Sequence, residues 1–177
     1  MCFKRTFFTV LFTTVIVIGI GYYFWPERQL EEGARVDFIQ IDKSLRKMTL
    51  FYKKNQLACY TIALGGPRPF FIHPEGPKRF QGDFKTPEGL YRIILKRKHP
   101  KYHRSLKISY PEDDLVAMKN GNPGGEILIH GLNNKFNWVG KFQRWLDWTK
   151  GCIAVTNTEI EEIYNAVPQN CKVEILP

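Results

Sequence analysis

The sequence predicts a mainly β domain carrying one or two short helices, preceded by a single apolar helix at the N-terminus. Three observations predict it. Apolar residues alternate with a period of two over successive segments between residues 35 and 64. Gly and Pro punctuate the chain between such segments, most densely from Gly65 to Gly89. An uncharged run from Thr6 to Trp25 opens the chain, and its length matches the ~20 residues that a helix needs to cross a bilayer.

Of the 177 residues, about 145 remain for folding once that run is set aside, enough for one core and too few for two. The expected organisation is an anchor over residues 1–28, a polar linker over 29–34 and one folded unit over 35–177. In the anchor, Phe7, Val10, Leu11 and the run Val15–Ile18 supply apolar surface, and Tyr22, Tyr23 and Trp25 form an aromatic belt. Lys4 and Arg5 place the N-terminus in the cytoplasm and the body outside, in the periplasm or cell envelope. A cleaved signal peptide is the alternative; the absence of a small-x-small site and the length of the run favour retention.

Arg35–Ile41, Lys47–Tyr52 and Leu57–Leu64 read as consecutive strands. The connections Lys43–Arg46 and Lys53–Gln56 have hairpin length, so an antiparallel meander opens the domain. Gly65–Gly89 is expected to be a long functional loop, followed by a strand at Leu90–Leu95. A short helix is predicted at Glu112–Lys119, stopped by Gly121 and Pro123, and then a buried strand, Glu126–His130. Phe142, Trp145 and Leu146 have helical spacing within Lys141–Trp148, and Cys152–Val155 is a brief strand. Thr156-x-x-Glu159 and Thr158-x-x-Glu161 each fit a capping box ahead of a helix Glu159–Ala166, and Cys171–Leu176 closes the fold as a strand.

Residues 33–177 hold 23 Lys and Arg against 14 Asp and Glu, so the net charge of +9 sits on the body. That field favours anionic partners such as peptidoglycan stems, teichoic polymers or lipid headgroups. A nucleic-acid partner would rest on charge alone, and a body outside the membrane disfavours it. The basic stretch Lys96–Lys107 reads as a solvated face. Cys2, Cys59, Cys152 and Cys171 contain no C-x-x-C pair, so no metal or cofactor is expected; Cys59 and Cys171 are a candidate disulfide pair.

A thiol becomes a nucleophile when its surroundings favour thiolate and fixed N–H groups await an oxyanion. Thr149-Lys150-Gly151-Cys152 offers both: Gly151 permits a tight turn that presents successive N–H groups, and Lys150 supplies a nearby cation. Among the four histidines, His130 ends an apolar strand beside Gly131, where sites are commonly built. The alternative is a satisfied core histidine and a small buried cysteine, and spacing by itself favours that alternative.

A resemblance reverses the balance. From Asp37 to Pro177 the chain resembles the L,D-transpeptidase catalytic domain (YkuD) family, through Gly82-Asp-Phe-Lys-Thr-Pro-Glu-Gly89 with Tyr91, His130-Gly131, and Thr149-Lys-Gly-Cys152 followed by Asn157. It implies an L,D-transpeptidase-like β-sandwich, Cys152 as nucleophile, His130 as base, the backbone amides of Gly151 and Cys152 as oxyanion hole, and peptidoglycan stem peptides as substrate. Lys150 stands where the family has a second histidine, and Ala154 where Arg or Asn is usual. Asp147-Trp-Thr-Lys-Gly-Cys-Ile-Ala-Val155 instead resembles a subgroup implicated in hydrolysing wall linkages, which adds a wall-linked lipoprotein to the expected partners.

Beside the resemblance, Lys150 is expected to favour thiolate by charge, and Asp147 is a candidate third member of a triad, against a solvated carboxylate. Asp83 and Thr86 are candidates for the cleft wall. Trp138 and Trp148, with Phe136, Phe142 and Trp145, are candidates for a flap over the substrate, with half or more expected in the core.

Overall fold

The computed structural model describes residues 2–27, 29–67, 72–119 and 121–177, and the side chains from residue 7 onward. The expected orientation signal of Lys4 and Arg5 therefore lies outside the described side chains. The apolar opening is one helix, α1 (Cys2–Phe24), whose 23 residues reach about 35 Å at 1.5 Å per residue. Its stretch Phe7–Phe24 is long and apolar enough to cross a membrane.

The domain is one curled sheet of eight strands. β1 (Phe38–Asp42), β2 (Lys47–Tyr52) and β3 (Asn55–Thr61) form the antiparallel meander, with Asp42 opposite Lys47 and Tyr52 opposite Asn55. The remaining strands are β4 (Gly89–His99), β5 (His103–Ile108), β6 (Leu128–His130), β7 (Ile153–Ala154) and β8 (Lys172–Leu176), in the order β3-β2-β1-β8-β4-β5-β6-β7. First and last strands thus meet at the centre, where β1 and β8 run parallel with Ile39 opposite Val173 and Ile41 opposite Ile175.

The two ends of this order also meet. Ala63, just past β3, exchanges both backbone hydrogen bonds with Ala154 of β7 at 2.9 and 2.8 Å. One step further, Gly66 N donates to Thr149 O and Thr149 N donates to Leu64 O, both at 3.1 Å. The curl encloses a core that includes Ile41, Leu50, Ile93, Leu106, Ile129 and Ile153. Helix α3 (Asn157–Ala166) covers it with Ile160 and Ile163.

The helix α3 starts at Asn157, two residues before the expected Glu159, because the capping box that forms is Thr156 with Glu159. Glu161 of the second candidate box pairs instead with His103 and Arg104. Helix α2 (Leu115–Lys119) is shorter than expected, since Asp114 caps it by accepting from Ala117 N at 2.8 Å. Lys96–Lys107 is not merely a solvated face: it lies within the β4–β5 hairpin, with Leu106 in the core and basic residues on the outer side. The region expected as a helix at Lys141–Trp148 is a kinked 3₁₀ segment, Asn134–Trp145, broken at Phe136 and Gly140. Cys59 and Cys171 are both free thiols. β3 and β8 stand three strand spacings apart in the order, about 14 Å, well beyond the reach of a disulfide.

Backbone meets backbone where the sheet closes. A Cβ on Gly65 would lie 1.9 Å from Phe84 O and 2.6 Å from Gly151 N. Gly65→Ala is therefore expected to cost about 1–3 kcal/mol or more through overpacking, whereas Gly21→Ala, with nothing within 4 Å, leaves thermal unfolding of the full chain in detergent unchanged.

Candidate active site

The parallel pairing of β6 with β7 sets Ile129 opposite Ile153 and His130 opposite Ala154. Side chains alternate faces along a strand. Ile129 and Ile153 point into the core, so His130, Ala154 and Cys152, two residues before Ala154, emerge on the other face. Cys152 immediately precedes β7 and His130 ends β6, so adjacent strands carry the two residues. Cys152 is half-buried and His130 buried.

The imidazole is held on three sides. His130 Nδ1 lies 2.6 Å from Gly131 O; a carbonyl only accepts, so Nδ1 carries the proton and Nε2 the free lone pair. Tyr102 stacks on the ring at 4.3 Å and 26°, and Trp148 meets it edge-on at 5.7 Å. Burial pushes the imidazole down to about 4, which keeps it neutral in ordinary buffers. Gly131 is required where it stands, because a Cβ there would lie 2.7 Å from Asn157 Oδ1. That oxygen accepts from Leu132 N at 2.8 Å, so the first residue of α3 fixes the turn after the histidine.

Burial also pushes the Cys152 thiol up, to about 11, with the Glu126 carboxylate adding to the rise and the Leu128 N–H and Lys78 opposing it. At rest the Cys152 thiol and the His130 imidazole are thus both neutral. Lys150 is exposed, and the cation that favours thiolate is Lys78 rather than the expected Lys150. Lys78 is buried against Asp83 at 2.8 Å. Asp83 also accepts from the backbone N–H groups of Arg79, Phe80 and Lys85, so it shapes the loop beside the cysteine. Thr86 is fully buried, its carbonyl turned to Lys43 Nζ, and so lies behind the cleft wall rather than on it.

The turn into the cysteine is braced by Thr149. Its Oγ1 donates to Cys152 O at 2.8 Å and accepts from Gly151 N at 3.1 Å. The Gly151 amide expected in the oxyanion hole is therefore engaged within its own turn, which leaves the Cys152 amide as the candidate of the pair. Gly151 itself has φ +116°, and a Cβ there would lie 2.6 Å from Lys85 O.

Asp147 is neither a triad member nor solvated. Its buried carboxylate pairs with Arg46 at 2.6 Å and accepts from Leu64 N at 2.9 Å and His73 N at 3.1 Å. His73 Nδ1 in turn lies 2.8 Å from Gly65 O. Asp147 thereby ties the β1–β2 turn and the Pro-rich loop to the strand end before Cys152. Of the flap candidates, none belongs to the core: Trp148 packs on His130, while Trp138 is exposed and its carbonyl accepts from Tyr23 of α1.

Sequence reasoning missed Lys78, Tyr102 and Arg46. Their only signal was position, in a Gly/Pro-rich loop, at a hairpin tip and after a strand, and none of these singles out a side chain. Among the described residues no group of His, Cys, Asp and Glu is arranged to hold a metal. A cavity of about 750 Å³ lies between the linker, β3 and α3, with neither Cys152 nor His130 in its wall.

Alkylation of Cys152 by iodoacetamide should keep accelerating as pH rises toward about 11, where an ordinary thiol levels off near 8.5. Lys150→Ala should leave this profile in place, and Lys78→Met should move it further up. Asp147→Asn should lower stability by about 1–3 kcal/mol, the cost of disturbed buried partners, in a denaturant melt, with the alkylation profile unchanged; a shifted profile would restore the triad role.

A family model described as the L,D-transpeptidase catalytic domain, YkuD, matches residues 36–175. The Escherichia coli (strain K12) protein named "Putative L,D-transpeptidase YafK" is 31% identical over 136 residues, which are 73% of this chain and 46% of that protein. A Bacillus subtilis (strain 168) relative, YqjB, named in the same way, is 29% identical over 52% of this chain and 53% of its own. The chain thus spans about half the length of the curated relatives it matches. Among solved structures, the helical cell shape determining protein Pgp2 of Campylobacter jejuni superposes with a TM-score of 0.62 at 22% identity, covering 83% of this chain and 49% of that one. Bd1075 of Bdellovibrio bacteriovorus follows at 0.56 and 21%, covering 84% and 51%. At these identities the two structures support the curled β fold alone. With the matched span running from Val36 to Ile175 and including both His130-Gly131 and Gly151-Cys152, this chain belongs to the L,D-transpeptidase catalytic domain (YkuD) family.

Proposed function

We propose that the chain is a membrane-anchored enzyme of the cell envelope that performs cysteine-dependent acyl transfer on peptidoglycan stem peptides. The observation that supports this reading is the β6–β7 register, which pairs His130 with Ala154 two residues past Cys152, together with the Nδ1–Gly131 bond that leaves Nε2 free to accept a proton.

Nε2 of His130 takes the proton as Cys152 Sγ attacks an amide carbonyl beside a diaminopimelate centre. Because both groups rest neutral, the ion pair forms only as the bond forms, and the developing oxyanion is met by the Cys152 N–H. The imidazolium returns its proton to the leaving amine, the C–N bond breaks, and a thioester remains on Cys152. An incoming amine then takes the acyl group, giving a cross-link or an attached protein, with its proton passing to His130 and back to the thiolate.

A second reading uses the same thioester with water as acceptor, as carboxypeptidase, endopeptidase or an activity releasing a wall-linked lipoprotein. The cation Lys150 and the small Ala154 beside the nucleophile favour it. In either case α1 spans the membrane and the domain lies outside. A binding module without catalysis is disfavoured by an intact thiol and base on one face.

Incubation of the full chain in detergent with purified muropeptides and lipoprotein-linked sacculi, read by mass spectrometry, tests these readings. A gained peptide mass marks transfer and a lost one hydrolysis; both vanish in Cys152→Ala, and a product that survives that substitution sinks the proposal. His130→Gln should lower kcat at least about 100-fold, the scale of general base catalysis. The acid limb of kcat/KM should lie near pH 4, where His130 takes up its proton, rather than near the ~6.5 of a free imidazole.

A further inference from the structure

Among the described residues, four exposed apolar side chains lie on one short stretch between His130 and Cys152. Trp138 is 70% exposed, Trp145 64%, Phe136 55% and Leu146 50%. This stretch, the 3₁₀ segment Asn134–Trp145 and the residue after it, begins four residues beyond His130 and ends just before Asp147-Trp148. Exposed apolar side chains gathered on one segment are a feature of interaction sites.

Its position relative to α1 identifies the partner. Phe142 packs on Tyr22 and Tyr23, with ring centroids 5.8 and 5.6 Å apart, and Trp145 on Tyr22 at 5.5 Å. Phe142 reaches as far back as Gly19, where an added Cβ would stand 4.0 Å from its Cζ. All three α1 residues belong to the stretch Phe7–Phe24 that is apolar enough to cross a membrane. At 1.5 Å per residue, Gly19 lies about 7–8 Å inside the end of that stretch. A side chain beside Gly19–Tyr23 therefore sits at the depth of the headgroup and upper acyl region, the zone that Trp and Tyr prefer.

The attachment is specific. Gly140 brings its backbone against the Tyr23 ring, with an added Cβ only 2.7 Å from Cε2, and Tyr23 Oη donates to Trp138 O at 3.1 Å. Lys141 Nζ donates to Trp25 O just past the helix. Arg144, buried, joins Glu27, three residues past α1, at 2.6 Å to Glu159 of α3, and its guanidinium holds the Glu27 carboxyl below the usual range. The segment is thus fastened to the anchor on one side and to the domain on the other.

We infer that Asn134–Trp145 with Leu146 lies in the interfacial layer of the same bilayer that α1 crosses, holding the Cys152–His130 cleft at the membrane surface. The inference rests on the anchor reading given above. Its consequence for substrate is that the acyl donors are stem peptides within reach of the outer face of that membrane, not those in distant layers of the wall. A partner protein covering these side chains instead would leave them in water in the purified chain.

The test uses the full chain in phosphatidylethanolamine–phosphatidylglycerol vesicles, with and without lipids brominated high on the acyl chains, read by tryptophan fluorescence after flotation. Trp138 and Trp145 should be quenched, so Trp138→Phe/Trp145→Phe should shrink the bromolipid-dependent loss of intensity about twofold or more, as expected of interfacial indoles. The single variant Trp138→Phe, at an exposed position, should shrink it in the same direction and does not depend on repacking against α1. Trp25→Phe reports the anchor itself. Vesicle-bound chain whose quenching is identical in wild type and both flap variants overturns the inference while leaving the anchor intact; chain that fails to float overturns the anchor reading and the inference with it.

Discussion

The close approach of the Lys78–Lys85 loop to Gly65 and Gly151 governs the rest of the site. The carbonyls of Phe84 and Lys85 occupy the space where side chains at Gly65 and Gly151 would stand. Only glycine admits that contact, and Gly151 also takes the positive φ that an L side chain resists. The turn before Cys152 is therefore wedged between the end of β3, which closes the sheet through Ala63 and Ala154, and a loop that Asp83 holds by three backbone amides. Asp147 completes the wedge by binding Arg46, Leu64 N and His73 N from parts of the chain distant in sequence.

Burial has opposite consequences for the Cys152 thiol and the His130 imidazole. It penalises whichever form is charged, so the thiol moves up and the imidazole down, and both rest uncharged. With both uncharged at rest, charge appears only while the proposed attack is under way. The buried Lys78 limits the cost of that charge from one side. Tyr102 and Trp148 keep the imidazole ring in place, and Gly131 O keeps its proton on Nδ1.

Much of the fold was legible in the sequence because its signals were local. Period-two alternation located β1, β2 and β3, and a Thr-x-x-Glu box located α3. β5 was not legible, since Arg104 and Lys107 interrupt the apolar pattern of a strand with only one face in the core. The two Thr-x-x-Glu candidates were indistinguishable by eye; Arg104, packed against α3 from the β4–β5 hairpin, claims Glu161 and leaves Glu159 to the cap. The 3₁₀ segment escaped because Gly140 breaks its helical spacing to let Tyr23 approach.

By itself the sequence determined the strand meander, the apolar opening helix and the presence of a His-Gly and a Gly-Cys pair, because each depends on neighbours within a few residues. Only the tertiary structure decided that Asp147 binds Arg46 instead of His130, that Lys78 lies near the thiol while Lys150 is exposed, that Gly151 spends its amide on Thr149, and that Thr86 is buried. The physical reason is common to all of them. A charge or a hydrogen bond acts over a few ångströms of space, and the curl of the sheet sets which residues lie within that distance.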